Sequence, residues 1–280
     1  RRRHSFPTRR SSDLKMKKIT SLFVAMLLLL SSCGSVPLTG RKQVLLVSDQ
    51  EVLSSSLTQY SDYMKSAKKS SSKDGAAMVT RVGKKIAAAT EQYLRNNGLE
   101  SEIKNFAWEF NLVNDPQVNA FCMPGGKIVV YEGLMQLVSS DDELAVVVGH
   151  EVAHAVAKHS NERMSQQLMA QYGAQILGQA LSNKSAAVQK IGASVYGLGA
   201  QYGVMLPFSR KHESEADYMG LVFMAMAGYN PAVAVNFWQK MSAGKSGSTP
   251  EFMSTHPSDA TRINEIKQHL PEIEKYRVKK

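Results

Sequence analysis

Gly149-His150-Glu151-Val152-Ala153-His154 places two histidines four residues apart, with a glutamate directly after the first. On an α-helix, residues four apart share a face one turn apart, so the two imidazoles can close on one Zn²⁺. Glu151 projects about 100° round from His150. Its carboxylate therefore lies beside the metal, not on it. There it can take a proton from a water whose pKa the cation lowers to about 7. Such a pattern arises by chance in roughly one chain in a hundred of this composition. The competing reading is a pair of core histidines satisfied by neighbours. Burying them with a glutamate in an otherwise aliphatic helix is costly without compensation. One zinc ion per chain supplies that compensation.

A catalytic zinc needs three protein ligands and one open position. The histidines left after the leader are His159, His212, His256 and His269. His159 follows His154 by five and falls about 140° off the metal face, which suits a helix-end residue near the negative pole of the dipole. Carboxylates come from HESEAD, residues 212–217. On a helix over Ser209–Ala227, Glu213 and Asp217 share a face. Glu215 lies about 200° from Glu213 and faces away. The pair makes a unit: one carboxylate on the metal, the other accepting the free ring N–H of a ligating histidine. Spacing does not say which is which.

The elements that must hold these residues are legible in outline. Ser139 and Ser140 are N-cap candidates for a helix Asp141–Ser160, and Asp141, Asp142 and Glu143 suit its positive end. Its apolar content makes it central and buried. Earlier helices are expected at 50–68 and 76–96, the second with Met78, Val82, Ile86 and Ala89 near one face. Alternation predicts a strand over Ala107–Val113, then two short strands, Val118–Met123 and Lys127–Tyr131, joined through Pro124-Gly125-Gly126. A short helix is expected at Gly133–Val138. The Gly-rich stretch 164–206 reads as a helical hairpin packed on, or lying over, the core. A short helix Ala232–Met241 and a Gly/Ser/Pro loop, Gly244–Pro257, follow. Ser258 is the N-cap of a last helix. The fold class is α+β, one domain over 49–280.

The chain has 280 residues and a formal charge of +10. Residues 1–15 carry a net +5 and precede Met16, so they read as a non-native leader. Lys17 and Lys18 then precede the apolar run Ile19–Leu30. That run spans about 18 Å as a helix, short of the ~30 Å bilayer core, and reads as a signal-peptide core over 16–32. Residues 33–280 carry only +3, which removes the case for nucleic acid. Cys122 is the one other cysteine besides Cys33, and its apolar neighbours predict burial.

HEVAHAVAKHS (150–160) followed by SRKHESEADYMG (209–220) resembles the zinc metallopeptidases of the HtpX and CAAX-prenyl-protease type, metallopeptidase family forty-eight. The strand-turn-strand NDPQVNAFCMPGGKIVVYEGLM (114–135) and STHPSDATRI (254–263) are similar to segments flanking that family's site. VPLTGRKQVLLVSDQE (36–51) resembles the entry of its short secreted lipoprotein members. The resemblance implies a mainly helical gluzincin-type domain with a small sheet beside the HExxH helix. It implies Glu213 as third ligand, Asp217 as its supporting acid and Glu151 as catalytic base. It also implies peptide binding along Asn119, Ala120 and Phe121 by strand addition, and a loop histidine, His256, able to fill the open metal position. Arg262, on the helix that follows, has two readings: an oxyanion or peptide-carbonyl anchor, or a helix cap or partner of an acid. Leu30-Ser31-Ser32-Cys33 resembles a lipobox, which implies cleavage before Cys33, a lipid on it, and a lipidated tether over 33–48. The expected setting is the bacterial envelope, at the outer membrane facing the periplasm. Unfolded or misassembled envelope proteins are the expected substrates, with an adaptor protein for their delivery. Two rivals remain: a chaperone or assembly factor with an idle or gated zinc site, and a membrane-buried protease with 164–206 in the bilayer. The recurrent Gln, Asn and Lys of that stretch stand against the second.

Overall fold

The computed structural model describes residues 33–198, 206–243, 251–256 and 260–278. The expected leader (1–15) and signal peptide (16–32) lie outside these residues. A small antiparallel hairpin, β1 (Cys33–Ser35) and β2 (Lys42–Val44), comes first. Helices α1 (Asp49–Ser66), α2 (Lys73–Asn96) and α3 (Glu100–Ile103) follow. Strands β3 (Glu109–Val113), β4 (Ala120–Met123) and β5 (Lys127–Tyr131) form one sheet in the order β3-β5-β4. The rest is helical: α4 (Glu132–Met135), α5 (Asp141–Val156), α6 (His159–Leu181), α7 (Ala186–Leu198), α8 (Leu206–Met226), α9 (Val233–Ala243), α10 (Glu251–Thr255) and α11 (Ala260–Ile273). This is the mainly helical α+β class that the residue pattern predicts.

Ser140 caps α5 as expected, its hydroxyl accepting from the Glu143 N–H at 3.2 Å. From Leu144 to Ala153 every residue of α5 is buried. Its neighbours are α2, which contributes Val82 and Ile86, and above all α8. Strand β5 is buried throughout, the mark of a central strand. It pairs in parallel with β3 and antiparallel with β4, which lies along α5.

The α5–α8 crossing rests on two glycines. A Cβ on Gly149 would sit 2.8 Å from the Gly220 carbonyl oxygen, and one on Gly220 would meet the His150 nitrogen at 2.8 Å. Backbone touches backbone here, so neither position has room for a methyl group. Gly220→Ala must push the helices apart, and overpacking of this kind costs about 1–3 kcal/mol. The expected result is a melting temperature lower by about 3–10 °C, read by circular dichroism. An unchanged melt would show that the crossing yields without cost.

Three expectations are corrected. The helix predicted for Asp141–Ser160 ends at Val156, because Lys158 turns the chain in a left-handed conformation (φ 57°). Such a conformation costs about 1–2 kcal/mol for a residue with a Cβ. The Lys158 ammonium compensates by reaching Asp49 at 2.6 Å and Glu102 at 2.9 Å. Second, the stretch 33–48 is not a loose tether. Val36 is buried, the Leu46 N–H donates to Ser165 Oγ at 2.8 Å, and the Val47 carbonyl accepts from Asn161 at 3.0 Å. Third, the expected loop 244–257 contains α10, whose Phe252 N–H donates to the Val118 carbonyl at 3.0 Å. Residues 244–250 and Ser258 lie outside the described set. Among the described residues, 164–198 of the Gly-rich stretch form a helical hairpin, α6–α7, with the outer part of α6 exposed.

Candidate metal centre and catalytic site

Helix α5 places His150 and His154 on one face, and the α5–α8 crossing brings Glu213 against them. The three donor atoms are mutually close. His154 Nε2 lies 3.0 Å from His150 Nε2; Glu213 Oε2 lies 3.3 Å from His150 Nε2, and Glu213 Oε1 lies 3.4 Å from His154 Nε2. Four ligands at ~2.0–2.1 Å round a tetrahedral zinc stand about 3.3 Å apart, so the trio fits three corners. His256 supplies the fourth corner. Its Nδ1 is 3.3 Å from His150 Nε2 and 3.1 Å from Glu213 Oε1. Among the described residues these four form a group able to hold a metal ion.

Each donor is held from behind. His150 Nδ1 lies 3.0 Å from Asp217 Oδ1, one turn along α8 from Glu213. The Arg262 guanidinium grips Asp217 through Nε and, at 2.8 Å, through Nη2. Burial alone would raise the Asp217 carboxyl, but Arg262 beside it holds it below the usual range. Burial acts on Glu213 likewise, and hydrogen bonds from His150 and His256 outweigh it, leaving the carboxyl far below its ordinary value. Arg262 is buried, lies over the Trp238 ring and reaches Glu213 at 3.2 Å. Of the two readings the sequence left for Arg262, anchor or acid partner, the contacts show the second: its guanidinium is engaged with the buried Asp217 and Glu213.

Glu151 projects to the side as helix geometry requires. Its Oε2 accepts the Cys122 backbone N–H at 3.1 Å, which ties the base candidate to β4. Its Oε1 is buried without a hydrogen bond and lies 3.5 Å from His256 Nε2. Burial raises the Glu151 carboxyl, against the pull of His256 and His150. A carboxylate with one oxygen fixed and the other free beside the donor set can take and return a proton.

Phe121 and Cys122 of β4 line the cleft together with Glu151, His154, Glu213 and His256. Asn119 turns back on its own strand, Oδ1 accepting from the Ala120 N–H at 2.9 Å, and Ala120 is buried. Of the expected substrate strand, Phe121 thus reaches the cleft. Cys122 is half-buried, less covered than its neighbours imply, and burial pushes its thiol well above the ordinary value.

One residue, His159, departs from expectation, and Glu215 finds partners that spacing does not show. Glu215 faces away from the metal but not towards solvent, because α8 is covered on nearly every side. It accepts from Arg41 Nε at 2.8 Å and from the Thr39 hydroxyl, and lies 3.0 Å from His159 Nε2. His159 is not a solvated helix end. The left-handed Lys158 starts a new helix and swings its ring to 2.8 Å from His154 Nδ1. Burial lowers the His159 pKa to about 4, so the ring is neutral. His212, next to Glu213, lies outside the group of four possible metal donors and contacts Glu162 at 3.0 Å. Sequence spacing missed His159, Glu215, Thr39, Arg41 and Glu162. The one signal was that HESEAD and KHSNE carry more charge and imidazole than buried helices usually tolerate.

A buried helix crossing, an HExxH face and an acid three helices later define a metallopeptidase-type centre. The match to the model of peptidase family M48 covers residues 80–270, and the chain belongs to that family. It is 36% identical over 205 residues to the mitochondrial metalloendopeptidase OMA1 of Schizosaccharomyces pombe, covering 70% of this chain and 53% of that protein. The OMA1 of Arabidopsis thaliana is 40% identical over 168 residues, 60% of this chain and 33% of its own. The beta-barrel assembly-enhancing protease of Yersinia pestis is 33% identical over 174 residues, 58% of this chain and 36% of its own. The chain thus spans about half the length of these relatives, or less.

Proposed function

We propose that this protein is a zinc-dependent endopeptidase of the bacterial envelope that hydrolyses peptide bonds in misfolded or misassembled proteins. The observation that carries this reading is the donor trio His150, His154 and Glu213 at tetrahedral spacing, with the free Glu151 Oε1 beside it. These three side chains would hold a zinc ion, which would supply polarisation of a scissile carbonyl and a bound water of lowered pKa. Glu151 takes the proton of the attacking water and returns it to the leaving amine. Strand β4, anchored by the Cys122–Glu151 bond, offers an edge on which an extended peptide can lie.

The leader composition supports an envelope location with a lipid on Cys33. No described helix is long and apolar enough to cross a membrane, which weighs against a site buried in the bilayer. Substrates are unfolded or misassembled proteins, delivered by an adaptor, with no part for nucleic acid.

His256 favours a second reading, a chaperone whose zinc site is gated. Its ring stacks on Phe252 at 4.6 Å, and its Nδ1 lies 3.3 Å from His150 Nε2 and 3.1 Å from Glu213 Oε1, where it would compete for the open metal position. We expect His256→Ala to raise cleavage of unfolded casein at least about threefold over wild type, and a chelator to abolish both activities. Zinc-loaded wild type and His256→Ala that are equally inert would favour the chaperone.

A further inference from the structure

We propose that the N-terminal β1–β2 hairpin is a working part of the metal site, positioning His154 through Arg41, Glu215 and His159. The proposal rests on the metallopeptidase reading above. His150 has its support close by, in Asp217 clamped by Arg262. The equivalent support for His154 is longer and reaches the start of the described chain. His154 Nδ1 lies 2.8 Å from His159 Nδ1, and His159 Nε2 lies 3.0 Å from Glu215 Oε2. Glu215 is held by Arg41 Nε at 2.8 Å and by the Thr39 hydroxyl, both from the hairpin turn and its flank. The rest of the Arg41 guanidinium forks onto Glu162 at 2.8 Å and 2.7 Å. Glu162 contacts His212 at 3.0 Å, whose ring stacks on His159 with centroids 4.3 Å apart. The imidazole of His159 is therefore fixed on its face as well as at both nitrogens.

The hydrogen bonds of this chain run one way. A ligating Nε2 must present its lone pair, so His154 carries its proton on Nδ1 and donates to His159 Nδ1. His159 then carries its proton on Nε2 and donates to Glu215. Glu215 accepts only, and Arg41 and Thr39 supply donors for the same carboxylate. Partners behind a ligating histidine set its tautomer and ring orientation, and their loss typically costs 10–100-fold in metal affinity. Both ligand histidines thus end on an acid held by an arginine. Asp217 and Arg262 do this from within the domain, Glu215 and Arg41 from the hairpin.

The test measures zinc affinity of the full chain by competition with a chromophoric chelator, for Glu215→Gln, Arg41→Met, His159→Gln and the double variant of 159 and 215. Melting of the metal-free proteins runs alongside. Each single variant is expected to bind zinc about 10–100-fold more weakly. In the His159→Gln background, Glu215→Gln is expected to add less than about threefold, because the chain is already cut. Unchanged zinc affinity with a lower metal-free melting temperature would reduce the network to an anchor for the hairpin. Effects that multiply in the double variant would break the relay. If Glu215→Gln does not fold, Arg41→Met carries the same test, since it leaves Glu215 its partners Thr39 and His159. Zinc affinity is independent of cleavage, so an inert wild type counts against the peptidase reading alone.

Discussion

Replacing Glu151 with glutamine is expected to lower peptide cleavage by about 10²- to 10⁴-fold while leaving zinc content unchanged. That range is what a positioned general base contributes. The geometry separates proton transfer from metal binding. Glu151 lies outside the group of four possible metal donors, and one of its oxygens is spent on the Cys122 N–H. A glutamine carbonyl can keep that bond. Its amide nitrogen then takes the place of the free Oε1 and has no lone pair to accept a proton. Metal analysis by mass spectrometry beside kcat/KM on a peptide substrate decides the matter. Loss of zinc together with cleavage would make Glu151 structural. Retained cleavage would send the search to another base.

Glu213→Gln is expected to weaken zinc binding by more than about 100-fold, beyond the 10–100-fold typical of a partner behind a ligand. Glu213 is the one anionic donor in the trio, and both its oxygens face the two histidines. The amide is neutral, so the attraction to the cation falls. It also leaves the buried Arg262, 3.2 Å away, with one anionic partner fewer. An unpaired buried charge destabilises its surroundings. Chelator competition reads the affinity. Dialysis against a weak chelator should strip the variant and spare the wild type. A variant that holds zinc as tightly as wild type would move the third ligand elsewhere, to Asp217 or His256. The expected results for Glu213 and Glu215 thus differ in kind: the first would remove a donor atom, the second the acid that His159 and Arg41 share.

Much of the site could be read from local spacing. His150, Glu151 and His154 lie within five residues, and Glu213 and Asp217 within another five, so helix periodicity alone ordered each set. Central burial of the HExxH helix followed from its aliphatic run, and its start from Ser140 and the acids after it. The β4–β5 pair followed from alternation about Pro124-Gly125-Gly126. Where the reading failed, the cause was a single backbone torsion or a distant contact. Periodicity assumed that the helix continued through Lys158, and so placed His159 about 140° off the metal face. The left-handed turn at Lys158 reverses that placement. Glu215 was correctly turned away from the metal. Its surroundings were not legible, because nothing local shows that Arg41, 174 residues earlier, would meet it.

The sequence by itself determined the reacting groups: their identities, their order round each helix, and the class of chemistry they can do. Local geometry has one dominant solution per helix, so those properties survive any arrangement of the helices. Only the tertiary structure decided how the two helices meet, through the Gly149–Gly220 contact that brings Glu213 to the histidines. It alone brought His256 beside His150, Arg262 onto Asp217, and Arg41 of the 33–44 hairpin onto Glu215. These depend on chain segments far apart in sequence, whose meeting is set by the packing of the whole core and not by any residue's own neighbours.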